Sequence, residues 1–539
     1  MVVKSLHPSV DIPLVPVTDF FLFDPIRKDP QRRSIVALIQ AETEESYTYG
    51  QVEENVLRLA SGLRSMDVRR GVTVQMFGPS GVEIPQICFG ILHAGGTVTT
   101  ANYGYNADEL AYQLQDSRPS LIFTTPELLS IALEAAKTIN MPPKRIITFG
   151  GRVNGHSFWK DIFGDANQQT QVSWTREQLC TEPCYILYSS GTTGRPKGVM
   201  QSHYNWVASR TQHLAVVSSQ PSAPAGTINC VVFPQYATGG TNLQAGMTSI
   251  IFRKFSFRLF LQMIAKHKIT SMVLPPPILV MLATSPEVEK YDLSSIVAIA
   301  AGGAALSKEL AAMVSAKLNV PVTAISHNYG ATEMTSGGIW HGLAPVRQGS
   351  VGLILPNSEV KLVNPDTDVE VKGPGEAGEI YYKGPNVTLG YLNNEKATKE
   401  TYVNGWLRTG DVAMYDKDGY FYIVDRIKEL IKYKGMQVAP NEIEAVLRTH
   451  PEVLDCAVVP VPDQLAGELP RAFVVSRNRG NQQKLAEDII AFVNQRVADH
   501  KHIRGGIVFV EEIPTNATGK ILRRVLRDKT DITPFSAKL

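Results

Sequence analysis

Tyr188 to Met200 reads YSSGTTGRPKGVM. Three glycines, four Ser/Thr hydroxyls, an arginine and a lysine share this one short segment. Before it, Cys184 to Tyr188 is a short apolar run. After it, from about Ser202, the residues Trp206, Val207, Leu214 and Val217 fall at helical spacing. The spacing predicts a strand, a glycine loop and a helix, a context in which backbone N–H groups converge on a phosphate. Gly191 and Gly194 permit positive φ and close approach of an anion. Ser189, Ser190, Thr192 and Thr193 add hydroxyl donors, and Lys197 adds a positive charge. The Walker pattern is not met: Pro196 precedes Lys197, and Gly198 stands where a Ser/Thr would hold magnesium. The segment is therefore a phosphate cradle whose metal ligand lies elsewhere, or else a turn-rich surface loop.

Around this loop, from about Thr48 to Ser350, short β-branched apolar runs alternate with longer amphipathic ones, which predicts βα units and parallel sheet. In SIVAIAAGGAALSKELAAMVSAKL, Ile296 to Ala300 reads as a buried strand and Gly302-Gly303 as a tight turn. Ser307 reads as the N-cap of a helix running to about Leu318. Beyond Ser350 the texture changes to Gly, Pro and Asp between short alternating runs, the mark of hairpins. From about Asp425 it changes again. A helix starting near Pro440, the strands DCAVVPV and RAFVVSR, the helix KLAEDIIAFVNQRVA and the run GIVFVEEI make a compact α+β unit. The expected fold is α/β. Residues 1–424 form a large N-terminal body of layered parallel sheets with helices plus a β-rich subdomain. Residues 425–428 form a hinge, and 429–539 a small mobile α+β C-terminal domain.

The totals agree with more than one core, since the chain has 539 residues. Lys+Arg 53 against Asp+Glu 51 gives a formal charge of +2, which offers no electrostatic argument for a nucleic-acid partner. Five dispersed cysteines, Cys88, Cys180, Cys184, Cys230 and Cys456, read as small buried hydrophobes in a reducing compartment rather than as a disulfide framework or zinc site. The best candidate for a membrane span, SMVLPPPILVMLATS, is short and interrupted by Pro275, Pro276 and Pro277, so no transmembrane segment is expected. The chain ends in Ala537-Lys538-Leu539, the small–basic–leucine order of a peroxisomal address read by an import receptor.

Four further segments carry chemistry. NYGATEMT, Asn328 to Thr335, offers the Tyr329 ring to a base, the Thr332 hydroxyl to a phosphate and the Glu333 carboxylate to Mg2+. GWLRTGD ends in Asp411, a residue type that takes ribose hydroxyls. YIVDRIKELIKYKG holds Asp425, Arg426, Lys428, Lys432 and Lys434. PTNATGKILRR presents Lys520 on a glycine turn before a basic helix, whose Arg523, Arg524 and Arg527 read as a solvated face. Taken singly, Asp411 is a turn aspartate and Glu333 a solvated glutamate. Together, in this order, the five segments resemble the acyl-adenylate-forming superfamily of acyl-CoA synthetases, 4-coumarate–CoA ligases, beetle luciferases and peptide-synthetase adenylation domains. The resemblance covers roughly Thr48 to Arg527.

That resemblance implies an ATP-dependent carboxylic acid–CoA ligase working in two steps. A carboxylate attacks the α-phosphate of Mg·ATP to give acyl-AMP and pyrophosphate, and the thiol of coenzyme A then displaces AMP. By the same resemblance the opening loop, Ser189 to Gly194 with Lys197, holds the β- and γ-phosphates. Thr332 contacts the α-phosphate, Glu333 binds Mg2+, Tyr329 lies along the adenine, and Asp411 with Arg426 holds the ribose. Lys520 bridges the attacking carboxylate and the α-phosphate. Lys428 is the hinge, and Lys432, Lys434 and Gly435 replace Lys520 for the coenzyme A step. Gly302, Gly303, Ala304 and Met334 line the acyl pocket, whose small residues suit an aromatic or a medium to long acyl chain.

The sequence departs from the family where a Phe-His motif normally closes the acyl pocket. Here VVFPQYATGG has Pro234 and Gln235 after Phe233 and no histidine, which leaves Gln235 and Tyr236 to substitute in part. This weighs against a luciferase-type reaction. Transfer to a separate carrier protein, or a catalytically silent homologue, remains an alternative, and free coenzyme A as acceptor or pyrophosphate release distinguishes them.

Overall fold

The computed structural model describes residues 1–167, 172–189, 196–217, 227–233, 241–304, 306–342, 344–434, 436–463, 465–477, 480–515, 520–529 and 534–535. Of the positions singled out above, Ser190, Gly191, Thr192, Thr193, Gly194, Pro234, Gln235, Tyr236, Gly435 and Ala537-Lys538-Leu539 lie outside the described residues.

The β-branched runs of the first half form parallel strands, as their two-sided burial requires. Thr97–Ala101 lies between Thr73–Phe77 and Pro183–Ser189, and Leu121–Thr124 and Ile146–Thr148 continue the sheet outward. A second parallel sheet carries Ser271–Leu274, Ala298–Ala301 and Ile325–His327 in that order. Helices cover these strands and start where the sequence places caps. Ser307 accepts the N–H of Leu310 at 3.2 Å, opening the helix Lys308–Leu318.

The opening loop differs from its sequence reading in one respect. The strand Pro183–Ser189 does not lead through the loop directly into a helix. A second strand, Lys197–Ser202, returns antiparallel to it with Ser189 opposite Lys197. Val199, Gln201 and Ser202 are buried on this strand, so the pairing answers to burial rather than to helical periodicity. The helix begins only at His203, behind a capping box in which Ser202 accepts the N–H of Asn205 at 3.1 Å. The described residues on either side of the loop are thus two antiparallel strands, and the helix follows the second of them.

The β-rich subdomain is an antiparallel sheet in which Glu359–Val363, Gly378–Lys383 and Trp406–Tyr415 are successive neighbours. Phe421–Arg426 pairs with the last of these, setting Asp411 opposite Arg426. Beyond it, Val453–Asp463 and Gly467–Ser476 form a long hairpin, flanked by Ile431–Tyr433 and Ile507–Phe509 and covered by the helices Pro440–Leu447 and Gln482–Asn494. This unit has its own core, with Ile443, Val458, Val474 and Ile489 fully buried.

The five cysteines are free, and all but the half-buried Cys180 are buried. Among the described residues no helix is long and apolar enough to cross a membrane.

Candidate active site

A cleft of about 390 Å3 opens between the body and the C-terminal unit. One wall comes from Gly303, Ala304, His327, Asn328 and Tyr329, at the ends of the parallel strands Ala298–Ala301 and Ile325–His327. Ligands of open α/β sheets gather at this edge, outside the carboxyl ends of the strands. The floor is Asp411 and Arg426, delivered side by side by the register of their two antiparallel strands. Lys520 enters from the other side.

Within the cleft the polar groups order one another. Arg426 Nε lies 2.9 Å from Asp411 Oδ1, and the Tyr329 hydroxyl donates to Asp411 Oδ2 at 2.7 Å. Asp411 is 6% exposed, so its two oxygens are held in place rather than turning in solvent. Burial lowers Lys520 to about 8, with the Arg426 charge adding to the fall and Glu429 and Asp411 opposing it. The residue is flanked by paired backbone. Thr515 and Ile521 pair, and the Leu522 N–H donates to Pro514 O at 2.8 Å.

A second group forms around Glu333, four residues beyond Tyr329. The turn that carries it needs Gly330, because a Cβ there would lie 1.8 Å from the Ser336 carbonyl oxygen. Thr332–Met334 is a short 3-10 turn fixed from outside by Gln201, whose Nε2 donates to Thr332 O at 2.9 Å. Glu333 Oε1 accepts from the Ser189 hydroxyl at 3.1 Å and from the Tyr391 hydroxyl at 2.9 Å. The Tyr391 ring lies under Lys197, with Nζ 4.1 Å from its centroid. The strand on which the opening loop rests is thereby joined to the glutamate turn.

Tyr391 and Gln201 were not singled out in the sequence. Tyr391 arrives by a two-residue strand, Gly390–Tyr391, antiparallel to Val199 and Met200. Its only local signal is a Gly-Tyr pair before a run of asparagines, which does not report a cross-strand partner.

Other sequence readings end elsewhere. Met334 is fully buried in the core of the β-rich subdomain with Ile339, Ile380 and Tyr382, so it packs that core and does not line the cleft. Arg523, expected on a solvated face, is 7% exposed and pairs with Glu429 and Glu444. The helix that carries it turns its inner face onto the C-terminal unit, while Arg527 stays outside. Lys432 and Lys434 are exposed on and beside the strand Ile431–Tyr433 and do not line the cleft. Lys428 is exposed between Arg426 and Glu429.

The AMP-binding enzyme family matches residues 23–392, and the AMP-binding enzyme C-terminal domain matches residues 442–520. The chain belongs to the AMP-binding enzymes, which use ATP, Mg2+ and coenzyme A. It is similar to the peroxisomal OPC-8:0-CoA ligase 1 of Arabidopsis thaliana, 36% identical over 503 residues that cover 92% of this chain and 90% of that one. It is also 35% identical over 539 residues to 4-coumarate–CoA ligase-like 1 of the same plant, covering 98% and 96%. Among solved structures, the anthranilate CoA ligase AuaEII in complex with anthranoyl-AMP matches with a TM-score of 0.84 at 26% identity, over 96% of this chain and 98% of that one. A benzoate CoA ligase from Burkholderia xenovorans LB400 matches with a TM-score of 0.80 at 26% identity, over 94% and 99%.

Proposed function

We propose that this protein is an ATP-dependent carboxylic acid–CoA ligase acting on an aromatic or a medium to long acyl chain. The observation that carries the reading is the placement of Lys520 in one cleft with Tyr329, Asp411 and Arg426. In the first step a carboxylate oxygen forms a bond to the α-phosphorus of ATP and the bond to pyrophosphate breaks. Two anions must be brought together, so the site needs fixed cations and donors rather than a nucleophilic side chain. Lys520 draws the carboxylate and α-phosphate together, Thr332 contacts that phosphate, and Asp411 with Arg426 holds the ribose. Tyr329 lies along the adenine between Asp411 and the Gly303–Ala304 wall. Lys197 and the opening loop hold the departing pyrophosphate.

The residues fit Mg2+. Among the described residues no three His, Cys, Asp or Glu form a metal cage. However, one carboxylate oxygen ordered by two hydroxyls is the donor that a phosphate-bound Mg2+ takes from protein. Glu333 would hold the ion, which supplies charge neutralisation to the triphosphate.

In the second step the thiol sulfur of coenzyme A bonds to the acyl carbon, AMP leaves with the electron pair, and the thiol proton passes to solvent. Lys520 must then give way to Lys432 and Lys434, which now face solvent, by rotation of the C-terminal unit about Lys428. The relatives' being CoA ligases supports coenzyme A as acceptor. The test is pyrophosphate release across a panel of aromatic, fatty and hydroxy acids, with and without coenzyme A. Lys520→Ala should abolish acyl-AMP formation while supplied acyl-AMP is still converted to thioester. Adenylation that survives this change refutes the role given to Lys520.

The site of action in this reading is the peroxisome. Ala537-Lys538-Leu539 is the address for the import receptor, and a peroxisomal ligase stands among the relatives. A fluorescent fusion carrying this tail should be punctate and become diffuse when the last three residues are removed. Diffuse signal from both refutes it.

A further inference from the structure

Behind Lys520 the cleft runs into a cluster of charges that the proposed chemistry does not use. Asp425, Glu429, Glu444, Asp455, Arg448 and Arg523 all line it. Arg523 follows Lys520 by three residues and anchors its segment. Its Nε donates to Val458 O at 3.2 Å, its Nη2 donates to Asn441 Oδ1 at 3.2 Å and Glu444 Oε1 at 2.7 Å, and its Nη1 pairs with Glu429. Glu444 Oε1 also accepts the Val458 N–H at 2.8 Å, and Arg448 Nη2 lies 3.6 Å from Glu444 Oε2. The Lys520 segment is thereby fixed to the helix Pro440–Leu447.

That helix is in turn held from the other side of the connection between the two units. Its own N-cap residue, Ala439, offers no side-chain cap. Asp425 supplies one instead, from the strand Phe421–Arg426 of the β-rich sheet. Its Oδ2 accepts the Asn441 N–H at 3.1 Å, and its Oδ1 accepts the Arg426 N–H at 2.7 Å. Asp425 is 1% exposed. Helix capping is ordinarily a local affair between residues a few positions apart; this cap reaches over sixteen positions and spans the segment about which the unit must turn.

We propose that Asp425 is a positioning residue: by capping the helix Pro440–Leu447 across the 426–428 connection, it latches the C-terminal unit in the arrangement that puts Lys520 in the cleft. The latch rests on the ligase reading, in which Lys520 serves adenylation and must leave for the second step. Arg426, Asn441, Glu444 and Arg523 act on Asp425 directly, and Glu429, Arg448, Asp455 and Lys520 line the same cleft. Burial raises Asp425 to about 7 against the pull of Arg523 and the two N–H groups, and Glu444 adds to the rise. A carboxyl whose pKa is higher in the latched arrangement than in solvent favours that arrangement as pH falls. The gain develops below about pH 7 and saturates below the ordinary carboxylate value.

The test uses Asp425→Ala and Asp425→Asn in the full chain. Adenylation is read as acid-dependent pyrophosphate release without coenzyme A, and the second step as thioester formed from supplied acyl-AMP. The alanine variant should lose about five- to tenfold in adenylation, the size of a lost helix cap, and keep the second step. The asparagine variant retains an acceptor but cannot titrate, so it should keep adenylation and flatten its pH dependence around neutrality. Equal loss of both steps, or no loss, overturns the latch. Hydrogen exchange without any substrate provides an independent reading. The Asn441 amide and residues 426–434 should exchange faster in Asp425→Ala, and unchanged exchange overturns the latch. If the wild-type chain releases pyrophosphate with no acid, the ligase reading falls while the exchange result still decides the latch.

Discussion

Tyr391 shows how one side chain joins two parts of the site. Its hydroxyl donates to Glu333 and its ring faces Lys197. Burial and the Glu333 charge both push the phenol well above its ordinary pKa, so it remains a donor at any working pH. Tyr391→Phe keeps the ring and removes the donor. The loss of a hydrogen bond to a charged group, ~1.5 kcal/mol, should weaken the dependence of adenylation on Mg·ATP about tenfold. An unchanged Mg·ATP titration would show that Glu333 needs no such support. This residue also marks where sequence reading stopped. Tyr329, Asp411, Arg426 and Lys520 were named from the order of their segments and the resemblance it carries, and they line one cleft. Tyr391, Gln201 and Arg523 were not legible in this way, since each acquires its partner only through tertiary pairing. For Arg523 the difference between core and solvent is a matter of rotation about one short helix.

At the scale of elements, alternation and capping located the strands and helices well, as Ser307 and the helix Lys308–Leu318 show. The hairpin around the opening loop was missed because Lys197 to Ser202 is too short for its period to stand apart from the helix that follows. The boundary between them is the Ser202 cap, which is fully buried. Ser202→Ala should cost about 1 kcal/mol at the N-terminus of the helix His203–Ala215. In a chain with several cores a global unfolding curve blurs such a change, so the measurement is hydrogen exchange in that helix's first turn. Exchange no faster than wild type would mean that packing alone sets the helix start.

The molecule as a whole keeps several histidines neutral, His93 and His203 buried and His213 and His327 half-buried. Burial lowers His203 to about 3 and His93, His213 and His327 to about 4. In the unfolded chain each would protonate near its ordinary value, so between about pH 6.5 and 4 the unfolded state holds more protons. Stability therefore rises with pH in that window, by up to ~1.4 kcal/mol per pH unit for each histidine fully neutral in the fold and charged outside it. Asp425, raised in the fold, works in the opposite sense. Melting points should fall steadily on acidification from pH 6.5, and a flat profile to pH 4.5 would refute neutral burial of these rings.

The cleft draws its walls from stretches far apart in the chain, and this bears on how the protein is made. Synthesis runs from the N-terminus, so Tyr329, Asp411 and Arg426 have all left the ribosome while Lys520 is still to be translated. A chain released early would carry the groups assigned to nucleotide and lack the one assigned to drawing the acid onto it. Under the proposed roles, the order of synthesis leaves the nucleotide-facing groups in place before the lysine that completes the cleft has been made.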